Sequence, residues 1–385
     1  MEAFDVAIVG AGPAGAAAAA RLASGGAKVA LLDGSHPREK PCGGGVTGRA
    51  LSLVGGAVQD LAQAVPIESA TFAHRGRTVR LSLPDQTAGL RLTVSSRRTF
   101  DGQLVERARG AGVVLLETRV TNVERGDRRW RLQTRDGESI DAQWVIGADG
   151  PASLVRRRVS TAFDRADLSI AAGYYVHGAT STRIDIAFLE DPSGYLWSFP
   201  RPDHLAVGAC AQADEATAAG LMKLSAGWID ANVGGGTRER YSWPIPTLRP
   251  ETVERQRPAG DGWFLAGDAA GLVDPITREG IFFALTSGLH AAESILHAPD
   301  PASAYTERLC DTIYSELLLA ARLKARFYRP GFMALLVSAL QRSSRIRRVM
   351  SDLVAGEQPY HSLRRRLLAT LELRLLLELF GTRGT

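Results

Sequence analysis

Cysteine is scarce in this chain: three residues in 385, at positions 42, 210 and 310. They are too few and too scattered for a disulfide framework or a zinc site, so a reducing, cytoplasmic setting and no metal are expected. No stretch approaches the roughly 18 consecutive apolar residues that a membrane-spanning helix requires. A secretion signal is also excluded, because Glu2 and Asp5 stand where such a signal carries positive charge. Lysine is nearly absent: four of the 46 basic residues, at 28, 40, 223 and 324, the rest being arginine. No internal repeat, low-complexity linker or nucleic-acid-binding module is found, so nucleic acid is not an expected partner.

What is present fits a globular protein of two domains or one elaborated domain, with 45% hydrophobic and 23% charged residues. Charge is uneven. The chain carries +5, but residues 321–385 alone carry +9, leaving −4 on the remainder. Residues 331–380 alternate apolar runs ("GFMALLVSAL", "LELRLLLELF") with arginine clusters ("RSSRIRR", "RRR"). Such helices rest well on an anionic membrane surface, which makes a peripheral membrane location one expectation. Packing over a second domain with a solvated arginine face is the other.

The N-terminus is the most legible stretch: "FDVAIVGAGPAGAAAAARLASGGAKVALLDGS". A short apolar strand runs into Gly10, Gly12, Pro13, Ala14 and Gly15, then an alanine-rich helix, then a second strand ending at Asp33. Glycine allows the tight turn at position 10, close approach of a pyrophosphate at 12, and close helix–strand packing at 15. The helix N-terminus offers free N–H groups to phosphate. Asp33, 21 residues after Gly12, stands where a carboxylate accepts ribose hydroxyls. Strand, glycines, helix, second strand and acid in register define a dinucleotide site.

Two later segments resemble fingerprints of flavoproteins built on the p-hydroxybenzoate hydroxylase plan. They are "WVIGADGPASLVRR", with Asp149 and Gly150, and "GWFLAGDAAGLVDPITREGIFFAL", with Gly267 and Asp268. That resemblance implies FAD, with Asp268 on its ribityl chain and the following helix aimed at the flavin. It also implies that Arg97, in "SSRRTFDGQLVERARGAGV", touches FAD and that Val120 lies near the adenine. No second glycine-rich strand–turn–helix exists for a nicotinamide. An external donor, NADPH or a reduced ferredoxin-type protein, would have to dock transiently.

Within that superfamily the chain resembles the geranylgeranyl reductases. "PSGYLWSFP" matches their P-x-x-Y-x-W-x-F-P motif at Pro192, Tyr195, Trp197, Phe199 and Pro200. "PCGGGVT" looks like their Cys-Gly-Gly loop beside the flavin, with Cys42, Gly43 and Gly44. "GDAAGLVDPITREGI" follows their Gly-Asp segment through Pro275, Thr277, Glu279, Gly280 and Ile281. The resemblance implies hydrogenation of isolated C=C bonds in an isoprenoid chain by flavin hydride and a proton. The expected substrate is a prenyl lipid, a quinone or a natural product.

In a strand, side chains two apart face the same way, so Tyr195, Trp197 and Phe199 form one aromatic wall. Tyr175, in "IAAGYYVHG", is expected to add to that pocket. Cys42 and Tyr195 are the candidate proton donors. A flavin monooxygenase is the competing reading. Halogenation is disfavoured because no lysine occurs between 41 and 222 and the halogenase tryptophan motif is missing.

The expected fold is α/β. It combines a Rossmann-like FAD domain (1–65, 96–160 and 258–300), an antiparallel-sheet substrate domain (66–95 and 161–257) and a C-terminal helical region (301–385). Arg278 is expected to be solvated, contact with a phosphate headgroup being the alternative, and Glu279 either follows the family pattern or only caps the helix it begins. The histidines at 74, 177, 204, 290 and 361 show no partner at ligand spacing.

Overall fold

A computed structural model of the chain describes residues 2–55, 64–83, 92–357, 359–370 and 377. The apolar run "LELRLLLELF" at 371–380, apart from Leu377, and parts of the segments 1–65 and 66–95 lie outside the described residues.

The first layer grows from strand Glu2–Val9, which pairs in parallel with Val29–Leu32 on one side and Ser139–Gly147 on the other. Val114–Leu116 and Trp263–Leu265 extend it in parallel on either side, and Ala259–Gly260 adds an antiparallel edge beyond Trp263–Leu265. Where both faces are buried, as along Val6–Val9 and Val29–Leu32, the strands read as continuous apolar runs rather than alternating ones. Helix Pro13–Ser24 follows the first strand, and its alanines at 16, 18 and 19 are fully buried. Small side chains are needed here because helix Ile281–His297 packs almost backbone to backbone on it. A Cβ at Gly288 would sit 2.2 Å from the Ala14 carbonyl oxygen.

The second layer is a seven-stranded sheet: Arg238–Pro246, Leu168–His177, His204–Gln212, Gly194–Pro200, Arg183–Leu189, Ser69–His74 and Arg77–Ser82. It is antiparallel except where Arg183–Leu189 meets Ser69–His74. Its central strand His204–Gln212 is buried along its whole length because both faces are covered. Helix Ala218–Asn232 covers one face through Leu221 and Ile229. The C-terminal helices Ser315–Phe327, Pro330–Arg342, Ser344–Val354 and Tyr360–Ala369 cover the other. Their apolar residues meet Phe72, Ile184 and Phe188 of the sheet. Hydrophobic burial at about 25 cal/mol per Å² therefore holds the described tail helices on the protein, with arginines 342, 345, 348, 364 and 365 exposed. No helix among the described residues is long and apolar enough to cross a membrane.

Candidate flavin and substrate site

The glycine loop behaves as its spacing requires. Gly10 has φ +102°, and a Cβ there would meet the Ala148 carbonyl oxygen at 2.4 Å. At Gly15 it would meet the Gly10 carbonyl oxygen at 1.9 Å. At Gly12 the nearest atom is 3.8 Å away, on His36, so this side of the loop is open to a ligand. Helix Pro13–Ser24 starts at Gly12 without a side-chain cap, and helix Ile281–His297 starts at Gly280 in the same way. Two uncapped N-termini without a first-turn acid suit the two electron-rich parts of FAD, pyrophosphate and flavin. The residues present fit the cofactor.

Asp33 accepts from the Ala11 amide at 2.9 Å and from His36 Nδ1 at 2.7 Å. His36 Nε2 lies 3.4 Å from Asp101, which also takes a bidentate pair from Arg97 at 2.9 and 2.7 Å. Burial pushes the His36 imidazole down, but carboxylates on both ring nitrogens more than reverse this and hold it above its ordinary value. Burial also opposes charge on Asp33 and Asp101, yet their cationic neighbours keep both below the usual carboxylate range. The stabilisation is thus complete above roughly pH 4, where the carboxylates ionise, and below roughly pH 6.5. It fades as pH rises through the raised His36 pKa. Thermal midpoints measured across pH should peak inside that window, and His36→Asn should flatten the alkaline fall.

Val120 opens strand Val120–Arg125 and is buried; the backbone at Thr118 and Arg119 packs on Gly34, beside Asp33. Asp149 accepts from the Leu154 amide at 2.6 Å and from Ser153 Oγ. Its carboxylate is therefore spent on the start of helix Leu154–Val159. The Ala148–Asp149 backbone forms the floor under Gly10.

A cavity of about 240 Å³ runs from this flavin-binding region into the space between the seven-stranded sheet and the C-terminal helices. At one end it is lined by Pro13, Cys42, Gly43, Gly44, Arg97, Asp268, Gly280 and Ile281. Tyr195, Trp197 and Phe199 form its sheet wall, and Phe327, Tyr328, Met350, Leu353 and Val354 its helical wall. Trp243 and Ile245, from the strand that returns to the first layer, also line it. The structure thus brings the aromatic strand, the Cys-Gly-Gly loop and the Gly-Asp segment to one space. The dinucleotide-loop residues Gly10, Gly12, Ala14 and Gly15 stand off it, as do Asp33, Val120, Asp149, Gly150 and Gly267.

Several expectations change. Tyr175 does not line the cavity: it shares the sheet face with Trp197 but lies further along, its ring 4.7 Å from Tyr241 and 5.3 Å from His204. It backs the wall. Pro275 also stays out of the wall that Ile276 and Thr277 form, its carbonyl accepting from Arg278. Arg278 is not solvated, and Glu279 gives helix Ile281–His297 no side-chain cap. Both line the cavity, and Glu279 accepts from Thr47 Oγ1 at 3.1 Å and from Arg49. Burial, despite Arg49, raises the Glu279 carboxyl above its ordinary value. The histidines differ as well. Antiparallel register sets His177 opposite His204, rings 5.2 Å apart, with Asp203 alongside, a grouping that linear spacing does not show.

Of the two proposed proton donors, Tyr195 gives its hydrogen to the Thr277 carbonyl oxygen at 2.7 Å, and burial raises its pKa well above the ordinary value. Cys42 Sγ accepts from the Gly44 amide at 3.3 Å. Its loop is held by residues that sequence reasoning missed. Arg201, fully buried in the turn after Pro200, donates to the Cys42 carbonyl oxygen at 2.9 Å and pairs with Glu39. Glu39 in turn accepts from Ser96 and from the Arg97 and Arg98 amides. Burial pushes its carboxyl up, but Arg201 and these donors hold it below the usual range. Lys40 pairs with Asp268 at 3.0 Å. Nothing but the adjacency of Arg201 to the Phe-Pro motif, and of Glu39 and Lys40 to the Cys-Gly-Gly loop, signalled these roles.

A two-layer molecule with this dinucleotide loop and cavity is an FAD-dependent oxidoreductase. Residues 3–217 match the family described as FAD binding domain. A digeranylgeranylglycerophospholipid reductase of Methanothrix thermoacetophila is 30% identical over 350 residues, 84% of this chain and 88% of the relative. A geranylgeranyl diphosphate reductase of Rhodobacter capsulatus is 31% identical over 310 residues, 76% and 75%. A menaquinone reductase of Mycobacterium tuberculosis is 28% identical over 394 residues, 92% and 93%.

Among solved structures, a geranylgeranyl bacteriochlorophyll reductase-like protein of Thermoplasma acidophilum superposes with TM-score 0.77 at 23% identity, covering 96% of this chain and all of the other. A flavin-dependent brominase reaches 0.70 at 19%, covering 96% and 99%, so the fold alone does not select the reaction. The chain belongs to the FAD-binding family, on its geranylgeranyl reductase branch.

Proposed function

We propose that this protein hydrogenates isolated C=C bonds of an isoprenoid chain. The observation that carries the reading is the apolar, ring-walled cavity that ends at the Cys-Gly-Gly loop and at Gly280. A prenyl chain offers almost nothing to hydrogen-bond, so recognition must come from buried area, about 0.8 kcal/mol for each methylene. Bound FAD supplies the hydride, drawn from NADPH or a ferredoxin-type donor. Trp197, Phe199 and the helical wall would hold the alkene close to the Cys-Gly-Gly loop and Gly280, where FAD would supply the hydride, and exclude water. Among the proton-bearing groups that line the same space are Cys42, Tyr195 and Glu279. Cys42 and Glu279 are favoured over Tyr195, whose hydrogen is committed to a carbonyl.

The discontinuous FAD segments and the sheet segments expected from sequence are retained as domains in this reading. The exposed arginines of the tail helices would face anionic lipid, from which so insoluble a substrate must be drawn. Incubating the reduced protein with a geranylgeranyl lipid under argon should give products two hydrogens heavier for each bond reduced. Products that gain oxygen, formed only in air, would instead establish a monooxygenase.

A further inference from the structure

Outside the cavity, the seven-stranded sheet gathers a set of metal-ligating side chains. His177 ends strand Leu168–His177 and lies directly opposite His204, the first residue of strand His204–Gln212. Glu239 stands on the other neighbour of Leu168–His177, opposite Tyr175. Residues two apart in a strand share a face, so Glu239, His177 and His204 project on the same side. Asp203 joins them from the turn after Pro200. One nitrogen from each histidine and one Asp203 carboxylate oxygen lie within 4.8 Å of one another. Glu239 Oε2 is 3.7 Å from His177 Nε2.

Backbone bonds hold this frame. The Gly178 amide donates to the Asp203 carbonyl oxygen at 3.2 Å, and the His177 amide to the Thr237 carbonyl oxygen at 3.0 Å. His204 is buried, with Asp203 Oδ1 2.7 Å from its Nδ1. Its Nε2 has no partner. No hydrogen bond at Nε2 therefore fixes the tautomer, and the neutral ring can carry its hydrogen there and keep the Nδ1 lone pair for a cation. A zinc ion bound at about 2.0–2.2 Å sets tetrahedral ligands about 3.3 Å apart. The side chains of His177 and Asp203 are exposed and free to rotate over the remaining distance. Two carboxylates supply a charge that a divalent cation neutralises, while Arg201, which also faces His204, is paired with Glu39. A His–Asp hydrogen bond within a turn would account for residues 203 and 204 alone. It gives no reason for a second imidazole and a second carboxylate on the same face.

We propose that His177, Asp203 and His204, with Glu239 as fourth ligand, bind a first-row divalent cation of the zinc type as a structural clamp. Imidazole ligands select such ions over Mg²⁺ and Ca²⁺. The clamp acts on the turn that carries Arg201. The Arg201 amide donates to the His204 carbonyl oxygen at 2.7 Å, and its guanidinium to the Cys42 carbonyl oxygen at 2.9 Å. The cation ties this turn to the two neighbouring strands and so steadies the support of the Cys-Gly-Gly loop. The site does not depend on which reaction the cavity carries out.

The test strips the FAD-loaded protein with a chelator and titrates it calorimetrically with Zn²⁺, with Mg²⁺ as the control. One equivalent of Zn²⁺ should bind and raise the thermal midpoint by a few degrees, and Mg²⁺ should do neither. His177→Ala and Asp203→Asn, both at exposed side chains, should each weaken Zn²⁺ binding at least tenfold and remove the thermal shift. FAD content confirms that both variants fold. Co²⁺ in place of Zn²⁺ should show the d–d bands of a nitrogen–oxygen site without a thiolate charge-transfer band, which separates this site from Cys42 and Cys310. No Zn²⁺ binding, binding that survives both substitutions, or a thiolate band overturns the site. Binding without a thermal shift supports the site and overturns the clamp.

Discussion

Arg201→Ala should lower unfolding stability by about 3–5 kcal/mol in urea titrations, the usual cost of breaking a buried ion pair by removing one partner. Arg201 is fully buried, and its removal leaves the partly buried Glu39 carboxylate with only neutral donors. It also releases the Cys42 carbonyl. The sheet, the Cys-Gly-Gly loop and the start of helix Arg97–Gly110 meet at this one pair, so FAD retention should fall together with stability. The double variant Arg201→Ala/Glu39→Gln should recover part of the loss, because the stranded charge is gone. A single substitution that costs less than about 1 kcal/mol would mean that the pair does not join the two layers.

The second large effect concerns contact between the loop and the aromatic wall. A Cβ at Gly43 would stand 2.3 Å from the Phe199 ring, an overlap that must displace either the ring or the loop. Misplacing a reacting group by about 1 Å can cost on the order of 100-fold in rate. Gly43→Ala should therefore retain FAD but slow lipid-dependent oxidation of the reduced flavin by about that factor. Phe199→Leu, which clears the space, should restore a substantial part of the rate in the double variant. Full activity in Gly43→Ala alone would show that the wall and the loop do not jointly position the alkene.

Much of this arrangement is legible in the sequence, for reasons that differ by residue. The dinucleotide loop is local: strand, glycines, helix and Asp33 fall within one stretch, and each glycine answers a steric demand that the fold meets. The aromatic wall is legible because a strand has period two, which places residues 195, 197 and 199 on one face. What period two does not give is the reach of that face. Tyr175 shares it, yet lies beyond Trp197 against Tyr241.

The tail was harder to read. Met350, Leu353 and Val354 carry the helical spacing of a buried stripe, but such a stripe reads equally well as a membrane face or a packing face. Its partner, the sheet surface of Phe72, Ile184 and Phe188, is more than 150 residues distant. Buried charges were the least legible of all. Arg278 looks like any surface arginine until the chain closes around it, and Glu39 and Arg201 meet across 162 residues. The pairing of His177 with His204 likewise exists only through strand register.

The account turns on whether an unactivated alkene in the cavity takes electrons directly from the flavin. Stopped-flow mixing of photoreduced holoenzyme with a geranylgeranyl lipid, with oxygen rigorously excluded, addresses this directly. Return of the oxidised flavin spectrum at a rate that saturates with lipid is the expected result. A flavin that stays reduced at every lipid concentration, and oxidises only when air is admitted, would contradict it.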